Sequence, residues 1–170
     1  SGFSETGAAE RQQQLAALAA SGHMAICGPN CVGIINFQEQ VAMSFSQFLE
    51  TSTLQAGQVA FISQSGALGG SILNRAADNR IGFSHFVSTG NEAVLEASDF
   101  IGYFVDQAHV KVIICLLEGV RNADKFLHAA QRAHLEGKPL LVMKIGRTAA
   151  GAKAASSHTG SMAGSDAVFE

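Results

Sequence analysis

The chain has 170 residues, 47% hydrophobic and 15% charged, with a formal net charge of −3. That apolar share excludes a disordered segment, the acidic balance excludes a general nucleic-acid binder, and no apolar run reaches the roughly 18 residues of a membrane helix. Three cysteines, an odd number, with no charged-then-apolar leader lead us to expect a protein of the reducing cytoplasm.

Taken in order, Ser1 to Gly7 is a polar loop, and from Ala8 the residues Leu15, Leu18 and Ala19 recur at helical spacing until Gly22. Two apolar runs, His23–Cys27 and Cys31–Asn36, flank the turn Gly28-Pro29-Asn30, in which proline fixes φ and glycine or asparagine accepts unusual angles. Phe37 to Ala56 is expected to hold short irregular strands or loop. From Gly57 the pattern becomes regular. Val59–Ile62 is a strand, Ser63 to Gly70 a glycine-rich turn, and a helix follows to about Asn79. Phe83–Val87 is a second strand, and the next helix carries Leu95, Ile101, Phe104 and Val105. Val112–Leu117, apolar on both faces, is expected to be a central strand. Asn122 caps a helix whose predicted apolar stripe is Ala123, Phe126, Leu127, Ala130 and Ala133, and Pro139–Met143 is the fourth strand. Alternating strands and helices predict an α/β fold, a parallel sheet with helices on both faces. Ser1 is not an initiator methionine, and Ala167-Val168-Phe169-Glu170 reads as the first turn of a helix, so we expect a piece of a longer protein.

In open parallel sheets ligands bind beyond the carboxyl ends of the strands. The loops there supply Ser63, Ser65 and Gly66, then Ser88, Thr89, Gly90 and Asn91, then Glu118 and Arg121, then Lys144, Gly146 and Arg147. The last leads to Ser156-Ser157-His158-Thr159-Gly160-Ser161, an imidazole among small residues whose N–H groups are free to meet an anion. Ser63–Gly70 is a strand-to-helix turn suited to anions, although it is neither a Walker loop nor a dinucleotide fingerprint. Glu118, at a strand end, can orient an imidazole by accepting from one ring nitrogen. Ser65, Glu118 and His158 also follow the chain order of α/β-hydrolase triads, but no G-x-S-x-G elbow surrounds Ser65. Cys27 and Cys31 are four apart, yet no second cysteine pair accompanies them, so no metal site is expected; Cys115 is expected to be a small core residue.

Four stretches carry a resemblance: Gly28-Pro29-Asn30-Cys31-Val32-Gly33, Ser63-Gln64-Ser65-Gly66-Ala67-Leu68, Leu117-Glu118-Gly119, and Ser156–Ser161 with Ala163-Gly164-Ser165-Asp166 after it. On these the chain resembles the NDP-forming (ADP-forming) acyl-CoA synthetases and, more distantly, the α subunit of succinyl-CoA synthetase. The resemblance implies a flavodoxin-like domain over residues 56–170, preceded at 1–55 by the end of a CoA-binding Rossmann-type domain. It implies the interconversion of acyl-CoA, NDP and phosphate with carboxylic acid, CoA and NTP, through an acyl phosphate and a phosphohistidine at His158. Glu118 would pair with that histidine. Ser65, Gly66 and Ala67 would hold the phosphoryl group, and Asn30, Cys31 and Gly33 would lie near CoA. The implied ligands are CoA, phosphate and ATP or ADP with Mg2+, the nucleotide held by an ATP-grasp-type domain or subunit that these residues do not resemble. An oligomeric assembly is implied, with no nucleic-acid or membrane partner. Two alternatives stand beside this reading: an acyl-CoA-sensing region of a protein acetyltransferase, and a serine hydrolase using Ser65, Glu118 and His158.

Overall fold

Strands built from Val, Ile and Phe, separated by capped helices, form one six-stranded sheet in the computed structural model, which describes residues 7–51 and 53–146. The elements are α1 (Ala8–Ser21), β1 (Gly33–Asn36), β2 (Val41–Ser44), α2 (Phe48–Thr51), β3 (Ala56–Ser63), α3 (Gly66–Asp78), β4 (Phe83–Ser88), α4 (Ala97–Val105), β5 (Val112–Leu117), α5 (Ala123–Leu135) and β6 (Leu140–Lys144). The sheet order is β2-β1-β4-β3-β5-β6. β4, β3, β5 and β6 are parallel, as expected, and β5 lies between two neighbours. The chain steps from β3 outward to β4, then returns across β3 to β5. The topological switch point, where loops on the carboxyl edge part, is therefore between β3 and β5.

Side chains alternate across β3 and build a core on each face. Ala60 and Ile62 meet Ile101, Phe104, Ile113 and Phe126 on the side of α4 and α5. Phe61 faces the other way, towards Leu73 of α3 and a chain of rings, Phe48, Phe37, Phe83 and Phe86, with centroids 5.5–6.0 Å apart. All six residues of β4 are buried, which requires cover on both faces. The helices start where their sequences supply caps. The Ser65 hydroxyl accepts from Leu68 N in α3, Glu96 and Asp99 form a capping box in α4, and Asn122 Oδ1 accepts from Lys125 N at 3.0 Å in α5. Lys138 Nζ donates to the carbonyls of Phe104, Val105 and Gln107, a cation at the end of α4.

The structure corrects the sequence expectations in three places. The sheet is mixed, because β1 and β2 form a hairpin whose β1 runs antiparallel to β4. The stretch 37–56, expected to hold short irregular strands or loop, contains the short strand β2. Leu95 precedes α4, its N–H donating to Ile26 O. In α5 the buried face is Phe126, Ala129 and Ala133, while Leu127 is 52% exposed and lies with Ala130 beside β6. Among the described residues no helix is long and apolar enough to cross a membrane.

Candidate functional site

The switch point is bridged by one side chain. Gln64, 2% exposed, immediately follows β3, and its amide reaches the loop after β5. Its Oε1 accepts from the N–H groups of Glu118 and Gly119, and its Nε2 donates to Gly119 O at 2.8 Å. A buried amide with these bonds fixes the start of the Ser65-Gly66-Ala67 turn relative to Glu118. Sequence reasoning gave Gln64 no role. Its partners lie 54 and 55 residues away, so no local pattern announces them.

Ser65 caps α3, and Ser63 Oγ donates to Ser65 O at 2.7 Å, which sets the turn. The first-turn N–H groups of Gly66 and Ala67 have no acceptor within the helix, and they carry its positive end. Small side chains leave those donors accessible at Gly66 and Ala67. A Cβ on Gly66 would stand 2.6 Å from Val32 Cγ1, so glycine is needed for the loop after Cys31 to approach the helix. A groove of about 360 Å3 starts at Gly66 and Ala67 and runs along α3 past Phe45, Ser46 and Phe48.

Asn30 and Cys31 lie in the loop that rests on the segment after β4, and Gly33 opens β1 directly after it. Asn91 N donates to Pro29 O, Ala93 N to Gly28 O, and Val32 N to Ser88 Oγ at 3.1 Å. Asn30 Nδ2 donates to Asn91 Oδ1 at 3.2 Å. Gly90, at φ 57°, allows this packing, since a Cβ there would sit 2.3 Å from Pro29 O. Arg121 Nη2 donates to Asn91 O at 2.8 Å and ties in the loop after β5. The loops after β3, β4 and β5 and the 28–33 turn thus form one connected edge.

Two carboxyls occupy it. Glu118 is half-buried, and its Oε2 is buried with no hydrogen-bond partner among the described residues. Such an oxygen is costly unless a donor reaches it. Glu92, 3% exposed, accepts from Ala97 N through Oε1 at 3.0 Å, and burial pushes its carboxyl up to about 7. Sequence reasoning missed Glu92, whose only signal was an acid following a Gly-Asn turn. His158 and Arg147 lie outside the described residues. Lys144 Nζ donates to Ile145 O. As expected, Cys115 is wholly buried in the core.

Residues 56–170 match the family described as the succinyl-CoA ligase-like flavodoxin domain. Across 99% of its length the chain is 39% identical to the α subunit of acetate–CoA ligase [ADP-forming] II of Pyrococcus furiosus, covering 36% of that protein. It is also 39% identical to acetate–CoA ligase [ADP-forming] of Methanocaldococcus jannaschii, again over 99% of the chain and covering 23% of the relative. Among solved structures it superposes on the dinucleotide-forming acetyl-coenzyme A synthetase 1 of Ca. Korarchaeum cryptofilum, a structure in complex with phosphate and ADP. That match has a TM-score of 0.86 and 39% identity, covering 99% of this chain and 36% of the other. The chain therefore spans about a quarter to a third of the relatives it matches.

Proposed function

The chain belongs to the succinyl-CoA ligase-like flavodoxin domain family, and from that membership we propose that it is the part of an NDP-forming acyl-CoA synthetase in which a phosphoryl group changes hands. The proposed reaction converts acyl-CoA, NDP and phosphate into carboxylic acid, CoA and NTP, and its reverse. His158 accepts the phosphoryl group on a ring nitrogen. Glu118 accepts a hydrogen bond from the other ring nitrogen, which keeps the attacking nitrogen deprotonated and stabilises the positive ring that forms. The observation that carries this reading is the buried Glu118 Oε2, without a partner among the described residues, on the same edge as an open helix N-terminus.

Each proposed role follows from the chemistry of the groups. A phosphoryl group in transit is stabilised by dipoles already aimed at it. The N–H groups of Gly66 and Ala67 supply such dipoles, and Gln64 holds them in register with Glu118. Asn30, Cys31 and Gly33 contact CoA in this reading, because their loop packs against the start of α3 through Val32. A separate ATP-grasp-type domain or subunit holds ATP or ADP with Mg2+. The residues 1–55 close a CoA-binding domain that continues into this sheet through β1.

The test uses the whole synthetase with radiolabelled ATP and Mg2+. We expect an acid-labile, base-stable phosphoryl label that His158→Ala abolishes and Glu118→Gln lowers about tenfold or more, the loss of one charge-assisted hydrogen bond. Absence of label on the unaltered enzyme rejects the reading. Full labelling of the Glu118→Gln protein rejects the role of Glu118.

A further inference from the structure

The 28–33 turn brings two thiols together at the edge of the site. Cys27, half-buried, donates from Sγ to Ser88 O at 3.4 Å and lies beside Cys31, which shifts its pKa. Cys31, also half-buried, lies with Sγ 3.8 Å from Cys27 O. Both thiols are reachable from solvent, unlike Cys115, which is wholly buried. The contact with Cys27 and the Gly33 backbone, against partial burial, bring Cys31 down to about 6. The same contact with Cys31, then burial, then the nearby Cys31 and Glu92 charges, drive Cys27 up. Cys31 is therefore the more acidic thiol of the two, and Cys27 is the neighbour placed to meet it.

We propose that Cys31 and Cys27 form a hydroperoxide-responsive thiol pair, with Cys31 attacking and Cys27 resolving, which closes to a disulfide across the Gly28–Asn30 turn. The Cys31 thiolate attacks the outer peroxide oxygen. The O–O bond breaks, the leaving hydroxide takes up a proton, and a sulfenic acid remains on Cys31. Cys27 then attacks that sulfur while losing its proton, the S–O bond breaks, and a second water leaves. Two thiols are oxidised, one peroxide is reduced to two waters, and any dithiol reverses the change. A disulfide needs its two Cβ atoms within about 4.5 Å, and Cys31 Sγ already lies 3.8 Å from the Cys27 carbonyl. Closure removes the Cys31 thiolate and the Cys27 contact with Ser88 O, so the loop resting on Ser88 and Asn91 changes its footing.

The pair stands on the thiol geometry and is read out without ligase activity, so its failure leaves the phosphoenzyme test untouched. Trypsin cannot cut between residues 12 and 75, so one fragment carries both thiols, while Cys115 falls in 112–121. The full-length protein is treated with hydrogen peroxide, alkylated after denaturation, digested and weighed. We expect fragment 12–75 to lose two hydrogens and resist alkylation, Cys115 to remain alkylatable, and dithiothreitol to restore both thiols. In Cys27→Ser, dimedone should trap a sulfenic acid on Cys31; in Cys31→Ser, oxidation of Cys27 should slow about tenfold or more with the loss of the thiolate. Full alkylation of all three cysteines after peroxide overturns the proposal. So does a Cys31 sulfinic acid beside a free Cys27, or a cross-link between two molecules.

Discussion

Glu92→Gln turns the burial of one carboxyl into a measurable slope of stability against pH. In the fold Glu92 keeps its proton up to about 7, whereas an ordinary glutamate loses it near 4.5. Between those values the folded chain binds more protons than the unfolded one. Stability is therefore fully present below about 4.5, falls as pH rises through the window, and levels off above about 7. A shift of this size corresponds to about 3 kcal/mol as an upper figure. Glutamine keeps the acceptor for Ala97 N and has no charge to bury. Urea unfolding of both proteins, followed by circular dichroism from about pH 5 to about pH 8, isolates this carboxyl, because every other titrating group contributes equally to both. The variant should gain on its parent by about 2.5 kcal/mol across that range. Two curves separated by a constant amount would refute the reasoning.

Two further perturbations probe how the edge is held. Gln64→Leu leaves the Glu118 and Gly119 N–H groups and the Gly119 carbonyl without their amide partner, so urea unfolding should show a loss of about 2–4 kcal/mol; a loss under about 0.5 kcal/mol would mean that water substitutes freely. Gly66→Ala places a methyl 2.6 Å from Val32 Cγ1 and should cost about 1–3 kcal/mol, with Val32→Ala restoring much of it in the double mutant. Strictly additive losses would show that the two sites do not touch.

The parallel strands were legible because β3, β4, β5 and β6 are apolar runs bounded by glycine, proline and capping residues. The hairpin was not, because β2 exposes Val41 and Met43 and so lacks the pattern of a strand buried on one face. One local signal was present: Asn36 Oδ1 accepts from the N–H groups of Gln38 and Glu39, a side-chain-stabilised turn. Leu127 was placed on the apolar stripe by its spacing, but the helix turns Ala129 inward instead, where a small side chain suits the contact with the sheet. In the site, the residues with a type preference for anions and imidazole stood out, namely Ser65, Gly66 and Glu118. Gln64 and Glu92 did not. The importance of an amide or a carboxyl there comes from burial by segments far away in sequence, which no window along the chain contains.

That remoteness has a consequence for the order in which the molecule is made and lost. Arg121 reaches Gln12 across 109 residues, Asn30 reaches Asn91 across 61, and Gln64 reaches Glu118 across 54. Each contact closes a long loop, and the entropy of closure is offset only once the sheet has gathered the strands between them. The carboxyl edge is therefore assembled after β3, β4 and β5 have paired. Its contacts are the natural place for the chain to open first while the sheet beneath stays folded.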